Sequence, residues 1–388
     1  MSSTPLRHTA LDALHRSLGA TMTDFAGWDM PLRYGSERDE HNAVRTRAGL
    51  FDLSHMGEIT VTGPQAGALL NFALVGNIAA VGVGRARYTM ICDADGGILD
   101  DLIVYRLADS EFMVVANASN AQVVLDALTA RAEGFDAEVR DDRDAYALLA
   151  VQGPESPGIL KSLTDADLDG LKYYAGLPGT VAGVPALIAR TGYTGEDGFE
   201  LFVKPEHAVE LWQALTKAGE GVGLIACGLS CRDTLRLEAG MPLYGHELST
   251  ALTPFDAGLG RVVKFDKDGD FVGREALARA RRVRRHEPAA RAGRPGRRGP
   301  PRPACRVRRG RGRPGDRRGH LRRPLPHTGQ ADRDGLRRRR PRGPGHAGCR
   351  RGHPGQPRAV RGRGPAVLQA PEVETDVRPD RPGRGPRA

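Results

Sequence analysis

The chain has few of the features that mark secreted, membrane-spanning or disulfide-linked proteins. Residues 1–20 contain no apolar run flanked by basic residues and a small-residue cleavage site, so no signal peptide is expected. No segment approaches the roughly eighteen apolar residues that a membrane-spanning helix needs. The five cysteines are an odd number, which favours reduced thiols and a cytoplasmic location over a disulfide framework.

Several motifs of phosphate and metal chemistry are also missing. The sequence contains no P-loop, no dinucleotide-binding glycine fingerprint and no HExxH motif, which argues against phosphate-cradling and zinc-hydrolase functions. Cys227 and Cys231 stand four residues apart, but no further cysteine or histidine pair accompanies them at the spacing of zinc ligands. A structural thiol pair is therefore favoured over a zinc site, and no metal ligand is predicted.

A net positive charge is missing from most of the chain and occurs only at its end. Residues 1–280 carry 24 basic and 39 acidic side chains, a balance of −15. Residues 281–388 carry 33 basic and 8 acidic side chains, a balance of +25. This asymmetry is typical of an arm that binds nucleic acid, so a nucleic-acid-binding fusion is one alternative for the whole chain.

What is present up to residue 275 is an alternation of helical and extended patterns. Asp93-Ala-Asp-Gly-Gly97 predicts a hairpin turn because aspartate and glycine tolerate positive φ angles. Runs of antiparallel strands with added helices predict an α+β fold rather than a doubly wound parallel sheet. The predicted helices are 6–18, 37–48, 64–74, 120–133, a segment from 157 and 205–218. The predicted strands are 57–63, 87–92, 97–105, 111–116, 137–140, 146–152, 184–190 and 199–204.

The pattern stops after residue 277, where Arg, Pro and Gly dominate. Such a composition cannot bury enough apolar surface to fold, so we expect a disordered tail. Codons permitted for residues 319–336, read one nucleotide later, also encode VTSGALSPTLGKPIAMA, an ordinary strand-and-turn sequence. We therefore interpret residues 276–388 as a basic tail frameshifted from a β-rich domain, and residues 1–275 as the folded region of the chain.

Two adjacent carboxylates are the first chemical feature of the folded region. Asp100 and Asp101 follow GGIL at the start of an apolar strand, so they are expected to point to opposite faces. One would reach solvent or a turn, while the other would face a partly apolar interior. A carboxylate there is costly unless it is paired or used in chemistry. The alternative is an aspartate that only caps the strand or forms a salt bridge.

Three further segments have the composition of a binding pocket. RTGYTGEDGFE combines three glycines, which permit a tight turn near a ligand, with Glu200 at the start of the next strand. Arg232 and Arg236 share a helix face, where either could bind an anion or pair with a neighbouring acidic residue. Segments 24–35 and 51–57 offer aromatic and small residues as pocket walls. His55 in the latter is expected to be a hydrogen-bonded structural histidine.

These segments together resemble one family, the aminomethyltransferase or T-protein of the glycine cleavage system. The matching pieces span about residues 5–277 in the family's order: FAGWDMPLRYGS, EHNAVRTRAGLFDLSHMGEI, GGILDDLIVY, VQGPES, RTGYTGEDGFE and RDTLRLEAGMPLYGHEL. The shifted reading of the tail also looks like the family's C-terminal domain. The chain departs from the family where Ser230 and Cys231 replace smaller residues before Arg232, which could crowd the folate pocket.

The resemblance implies a multidomain folate-binding aminomethyltransferase fold with three domains around a central channel. On this basis residues 1–275 are the catalytic region, two intertwined α+β domains, and residues 276–388 are frameshifted from a C-terminal β-barrel domain. It also implies an activity. The methylene of the aminomethyl group on the lipoyl arm of H-protein passes to tetrahydrofolate, and ammonia is released. Lipoylated H-protein and folate are the implied partners, whereas neither a membrane nor a nucleic acid is expected.

The resemblance also assigns roles to site residues. Asp100 is the first candidate for the catalytic carboxylate, with Asp101 as the alternative, and Glu200 would accept hydrogen bonds from the pterin ring. The catalytic carboxylate would stabilise positive charge on the transferred carbon and assist proton movement at the attacking nitrogen.

The resemblance also implies three more folate-binding residues. Arg232 matches a folate-site arginine, and Tyr88 and Tyr193 are implied as stacking or wall residues.

The wider family offers two other functions. One alternative is a non-catalytic folate-binding relative in iron–sulfur assembly, whose cysteine-containing motif is absent here. The other is a demethylating oxidoreductase, but no flavin-binding segment is present.

Overall fold

The computed structural model describes residues 5–286. Residues 1–4 and 287–388 lie outside this part. The disorder and the frameshift predicted for the tail therefore fall almost wholly outside the described residues. The predicted join at residue 275 lies inside a helix that continues to His286.

The elements of the described part follow one another in a regular α+β order. The α-helices are α1 (Asp12–Ser17), α2 (Glu37–Thr46), α3 (Ala66–Ala73), α4 (Ala121–Arg131), α5 (Ser156–Lys161), α6 (Ala208–Gly219), α7 (Leu229–Glu238) and α8 (Arg274–His286). The strands are β1 (Arg7–His8), β2 (Thr21–Phe25), β3 (Trp28–Arg33), β4 (Gly49–Asp52), β5 (Gly57–Thr62), β6 (Ala86–Cys92), β7 (Ile98–Ala108), β8 (Glu111–Ala116), β9 (Glu138–Asp141), β10 (Ala147–Gln152), β11 (Gly176–Val181), β12 (Val184–Ala189), β13 (Gly198–Val203) and β14 (Ile225–Ala226). Short 3-10 turns occupy Pro205–His207, Glu220–Val222 and Gly260–Val262.

Two successive units of the chain share one topology. The first runs β5-α3-β6-β7-β8-α4-β9 and forms a five-stranded sheet in the order β6-β7-β8-β5-β9. The second runs β10-α5-β11-β12-β13-α6-β14 and forms a six-stranded sheet, β11-β12-β13-β10-β4-β14. The strands of the second sheet follow the same order as those of the first, with one addition. Strand β4, which precedes the first unit in the chain, lies between β10 and β14. The first strand of each unit ends at a glycine with positive φ, Gly63 at 115° and Gly153 at 124°.

The inner faces of these two sheets pack against each other. Tyr105, Met113 and Val115 of the first sheet share one buried cluster with Ala150 and Phe202 of the second. We call this cluster the inner layer. The opposite face of each sheet is covered by helices, with α3 and α4 on the first sheet and α5 and α6 on the second. Every strand at the centre of either sheet is therefore buried on both faces.

Segment 244–277 packs on the first sheet. Leu248, Phe271 and Leu277 form a buried cluster with Met90 and Ile98 at the β6–β7 end of that sheet. Lys267 is buried in the same region, and its Nζ donates hydrogen bonds to the backbone carbonyls of Asn71, Leu74 and Gly76, the last at 2.9 Å. These carbonyls follow or end α3, where a cation is favoured by the helix dipole.

The predicted α+β class with antiparallel sheets is confirmed, and local signals account for much of it. Ser36 caps α2 by accepting from the backbone N–H of Asp39 at 3.4 Å. In the β6–β7 hairpin, Asp93 Oδ1 accepts from the N–H groups of Asp95 and Gly97 at 2.9 and 2.8 Å. The predicted helix 6–18 is shorter than expected, because α1 begins at Asp12 and β1 precedes it. Strands β2, β3, β4, β11 and β14 were not predicted.

Candidate active site

Strand β7 carries both candidate aspartates into the interior. It is paired on both sides, and Asp100 stands opposite Ile91 of β6 while Asp101 stands opposite Met90. Asp100 is 0% exposed and Asp101 is 9% exposed. Neither carboxylate reaches solvent, but Asp100 bonds Asn117 and Asn120 around the turn before α4, which is the other outcome that the sequence left open.

The Asp100 carboxylate is saturated with hydrogen bonds. It accepts from the backbone N–H of Asn117 at 3.0 Å, from Asn117 Nδ2 at 2.9 Å and from Asn120 Nδ2 at 2.7 Å. Asn120 immediately precedes α4, so these bonds tie β7 to the start of that helix. Burial raises the pKa of Asp100 to about 7, although the asparagine bonds oppose the shift. Its contacts are those of a residue that fixes local structure.

The Asp101 carboxylate has fewer partners and faces aromatic side chains. Tyr88 donates its hydroxyl to Asp101 Oδ2 at 2.9 Å, and Asn117 Nδ2 donates to Oδ1 at 3.0 Å. Burial raises the pKa of Asp101 to about 6, and the Tyr88 bond limits the rise. The negative charge of Asp101 also raises the pKa of Tyr193, on which burial has the larger effect.

An arginine stands beside this group. The Arg232 guanidinium lies 4.6 Å from the centroid of the Tyr193 ring, and it forms no hydrogen bond or ion pair with another residue in 5–286. Arg236, on the next turn of α7, is instead held by Asp233 and Glu247, both at 2.8 Å. Of the two arginines left open by the sequence, only Arg232 keeps its donors available to a ligand.

Glu200 lies on the inner face of β13, close enough to Arg232 for their charges to interact. Its carboxylate accepts from the hydroxyls of Thr191 and Tyr105, the latter at 3.4 Å. Burial raises the pKa of Glu200, while the Arg232 charge opposes that shift. Contacts and charges thus link five of the predicted site residues, Tyr88, Asp101, Tyr193, Glu200 and Arg232. Asp100 points to the opposite, helix-covered face of β7. Tyr105 and Asn117 were missed, because a tyrosine and an asparagine without a shared motif give no signal in one sequence.

His55 differs from the hydrogen-bonded structural histidine that was expected. It is buried, and its Nδ1 has no hydrogen-bond partner among the described residues. The Phe25 ring packs edge-on against the imidazole at 5.4 Å. Burial, with the nearby Arg232 charge, lowers the pKa of His55 to about 4, so the ring is neutral at physiological pH. It therefore adds a neutral polar group beside Arg232.

The glycine-rich segment after β12 is a fixed loop. A Cβ on Gly192 would lie 2.0 Å from Gln152 Oε1, so a larger residue there would displace the Gln152 side chain, which bonds the carbonyl of Thr191. Arg45 holds the loop by donating to the carbonyl of Thr194 at 2.6 Å and to Glu196 at 3.0 Å. Tyr193 donates its hydroxyl to the carbonyl of Pro242. These bonds fix the ring over which Arg232 lies.

One further polar cluster and two clefts contain none of the predicted site residues. Glu40, Cys227 and Cys231 place potential metal-ligating atoms within 4.8 Å of one another. The Glu40 carboxylate, however, accepts the backbone N–H groups of Tyr34 and Gly228 at 2.8 and 2.9 Å, which joins β3 to α7. An open cleft of about 810 Å³ is lined by residues of segment 255–284. A second cleft, of about 370 Å³, is lined by residues of segments 18–40 and 225–226. Neither cleft includes a predicted site residue.

Comparison with known proteins agrees with these observations. Residues 11–267 match the family described as the GCVT N-terminal domain. The aminomethyltransferase of Streptomyces coelicolor is 89% identical over 280 residues, 72% of this chain and 75% of that protein. The Bacillus subtilis aminomethyltransferase is 44% identical over 274 residues, 70% of this chain and 75% of that protein.

A solved structure has the same fold. The glycine cleavage system aminomethyltransferase T from Bartonella henselae superposes with a TM-score of 0.67 at 38% identity, covering 72% of this chain and 75% of that one. Within residues 5–286 none of the helices is both long and apolar enough to span a bilayer. The chain therefore belongs to the aminomethyltransferase family, the T-proteins of the glycine cleavage system.

Proposed function

We propose that this chain transfers the methylene of an aminomethyl group, carried on the lipoyl arm of H-protein, to tetrahydrofolate and releases ammonia. The observation that carries the proposal is Asp101, a buried carboxyl with a pKa of about 6 beside Tyr88, Tyr193 and the unpaired donors of Arg232. A carboxylate that titrates near neutrality suits proton transfer at physiological pH. The cytoplasmic location and the lipoylated H-protein remain predictions that accompany this function.

The residues present fit a folate. When bound, tetrahydrofolate supplies the nitrogen atoms that accept the one-carbon unit. Glu200, with Oε2 held by Thr191 and Tyr105, presents acceptor capacity for the N–H donors of a pterin ring. Arg232 provides unpaired donors, and the rings of Tyr88 and Tyr193 provide apolar walls.

Between the two aspartates, the contacts favour Asp101 as the catalytic carboxylate. All three hydrogen bonds to Asp100 come from Asn117 and Asn120, between β8 and α4, whereas Asp101 lies with Tyr88 and Tyr193. In its ionised form Asp101 stabilises positive charge on the transferred carbon. It then holds the proton released at the attacking nitrogen, while Tyr88 fixes the position of Oδ2.

We also propose the domain division at residue 275, with residues 276–388 read in a shifted frame. In its support, the Streptomyces coelicolor protein matches over 280 residues, which leaves a quarter of that protein without a counterpart in this chain. The nucleotide sequence across codons 270–300 tests this directly. An intact frame without a slip there excludes the proposal and restores the basic arm as a genuine segment.

The activity is tested with the purified full chain, tetrahydrofolate and aminomethylated H-protein. We expect methylene-tetrahydrofolate and ammonia to form in equal amounts, and only when both substrates are present. Asp101→Asn serves as the inactive control. Folate binding without any transfer would instead assign the chain to the non-catalytic relatives of the family.

A further inference from the structure

A carboxyl that the proposed mechanism does not use is buried between the two sheets. Glu58 lies on β5, paired with Val115 of β8, and is only 1% exposed. Ile59 and Val61 point to the helix-covered face of the sheet, so Glu58 points to the inner layer, as Val115 does. Met56, two residues earlier, packs on the same layer.

Neither oxygen of Glu58 has a hydrogen-bond partner in another residue of 5–286, and only the backbone N–H of Glu58 itself interacts with the carboxyl. His55 Nδ1 is the other buried side-chain atom without a partner in that part of the chain, and it lies three residues away. Buried polar atoms in native proteins are nearly always bonded, so two unbonded groups on one short segment require a partner from outside the chain.

The charge state of Glu58 follows from its surroundings. Burial, reinforced by the charges of Asp142 and Glu200, raises the pKa of Glu58 well above its usual range. The Asp142 carboxylate is already engaged by Arg140 and by the hydroxyl of Thr60. Burial and these neighbouring charges favour the neutral acid form of Glu58, and in that form the group offers one O–H donor and one carbonyl acceptor.

Resting on the proposed function, we propose that Glu58 is a further ligand-binding residue of the same site. It pairs through its O–H and C=O with the N–H and C=O of the lactam edge of a pterin ring. A lactam presents one donor and one acceptor side by side, the pattern complementary to a neutral acid. Glu200, on the facing sheet, lies close enough for its charge to act on Glu58. The two carboxyls thus approach the ring from the two sheets.

The structure also supplies a test that separates binding from folding. A buried acid without partners destabilises the free protein, so an apolar side chain of similar size at this position is expected to stabilise it. Glu58→Leu should therefore raise or preserve Tm while weakening folate binding. Glu58→Gln keeps one donor and one acceptor and should bind nearly as the parent does.

The probe is 5-formyltetrahydrofolate, with binding measured by calorimetry on the full chain at pH 7 and Tm measured without ligand. We expect Glu58→Leu to raise Kd by about 10- to 100-fold and Glu58→Gln to change it by less than about threefold. Thr60→Val, on the same strand and face, is the matched control. It loses the bond to Asp142, so its Tm should fall while its Kd stays unchanged.

The outcomes distinguish this inference from the proposed function. If the parent chain does not bind the probe, the proposed function fails. If the parent binds and Glu58→Leu binds equally well, the role of Glu58 is overturned. Equal weakening in Glu58→Leu, Glu58→Gln and Thr60→Val would also overturn it, because strand packing would then set the affinity.

Discussion

Exchanging each aspartate of β7 for asparagine separates a catalytic carboxylate from a structural one. Asp101→Asn removes the negative charge beside Tyr88 but keeps an oxygen that can accept the tyrosine hydroxyl. Asp100→Asn removes an acceptor that binds three N–H groups from Asn117 and Asn120. The two variants differ by one position and by the direction in which the side chain points.

The expected magnitudes follow from these contacts. Loss of a positioned base lowers turnover by about 10²- to 10⁴-fold, so we expect this loss for Asp101→Asn. It corresponds to about 2.7–5.5 kcal/mol in the activation barrier. An asparagine at position 100 turns its NH₂ toward at least one N–H donor. The free energy of unfolding should then fall by about 1–3 kcal/mol for each buried group left unpaired.

The assay measures turnover at saturating tetrahydrofolate and H-protein, with Tm measured on the same preparations. We expect Asp101→Asn to lose turnover at nearly unchanged Tm, and Asp100→Asn to lose Tm with turnover lowered less than tenfold. Because the pKa of Asp101 is about 6, parent turnover should fall as the pH drops through that value. The reverse pattern, an inactive but stable Asp100→Asn beside an active Asp101→Asn, would refute the assignment.

Three other outcomes are expected. Arg232→Lys loses the planar group over Tyr193, so calorimetry should show Kd for tetrahydrofolate about tenfold higher; an unchanged Kd contradicts this role. Lys267→Met removes three hydrogen bonds to backbone carbonyls, so the free energy of unfolding measured in urea should fall by about 2–4 kcal/mol. An unchanged urea midpoint would show that these bonds do not stabilise the fold. Burial raises the folded-state pKa of Asp100 and Asp101 to about 7 and about 6, so the folded state binds protons that the unfolded state has released. His55, whose folded-state pKa is about 4, acts in the opposite direction in the same pH range, so the parent is compared with the Asp100→Asn, Asp101→Asn double variant, which shares it. Relative to that variant, parent stability measured in urea should fall by about 2–4 kcal/mol from pH 5 to pH 7, and a rise would count against the buried aspartates.

Elements whose signals are local could be predicted from the sequence. The β6–β7 hairpin depends on Asp93 and its neighbours, and α2 begins at its own Ser36 cap. Strands β4 and β14 could not be predicted, because their pairing joins residues about 100 or more positions apart. Strand β11 contains a proline and two glycines, which disfavour a strand, but as an edge strand it needs hydrogen bonds on one side only.

The sequence allowed us to predict which residues form the site, but not which of them are held by neighbours and which are left to bind a ligand. Helical spacing places Arg232 and Arg236 on one face, and only the tertiary contact with Glu247 shows which of them is engaged. The asparagines that saturate Asp100 lie 17 and 20 residues away from it. Glu58 alternates with apolar residues, a pattern typical of a strand with one solvated face. The second sheet covers that face, which no local pattern reveals.

The position of β4 in the second sheet also sets an order on folding. A strand from residues 49–52 takes its neighbours from residues 149–152 and 225–226. During synthesis both edges of β4 stay unpaired until β10 has been made. The edge that faces β14 stays unpaired until residues 225–226 have also been made. Such long-range pairing slows folding. It also leaves the backbone N–H and C=O groups of β4 free to pair with other chains while synthesis continues. A fragment ending before residue 147 would carry β4 without either partner, which makes it prone to aggregate.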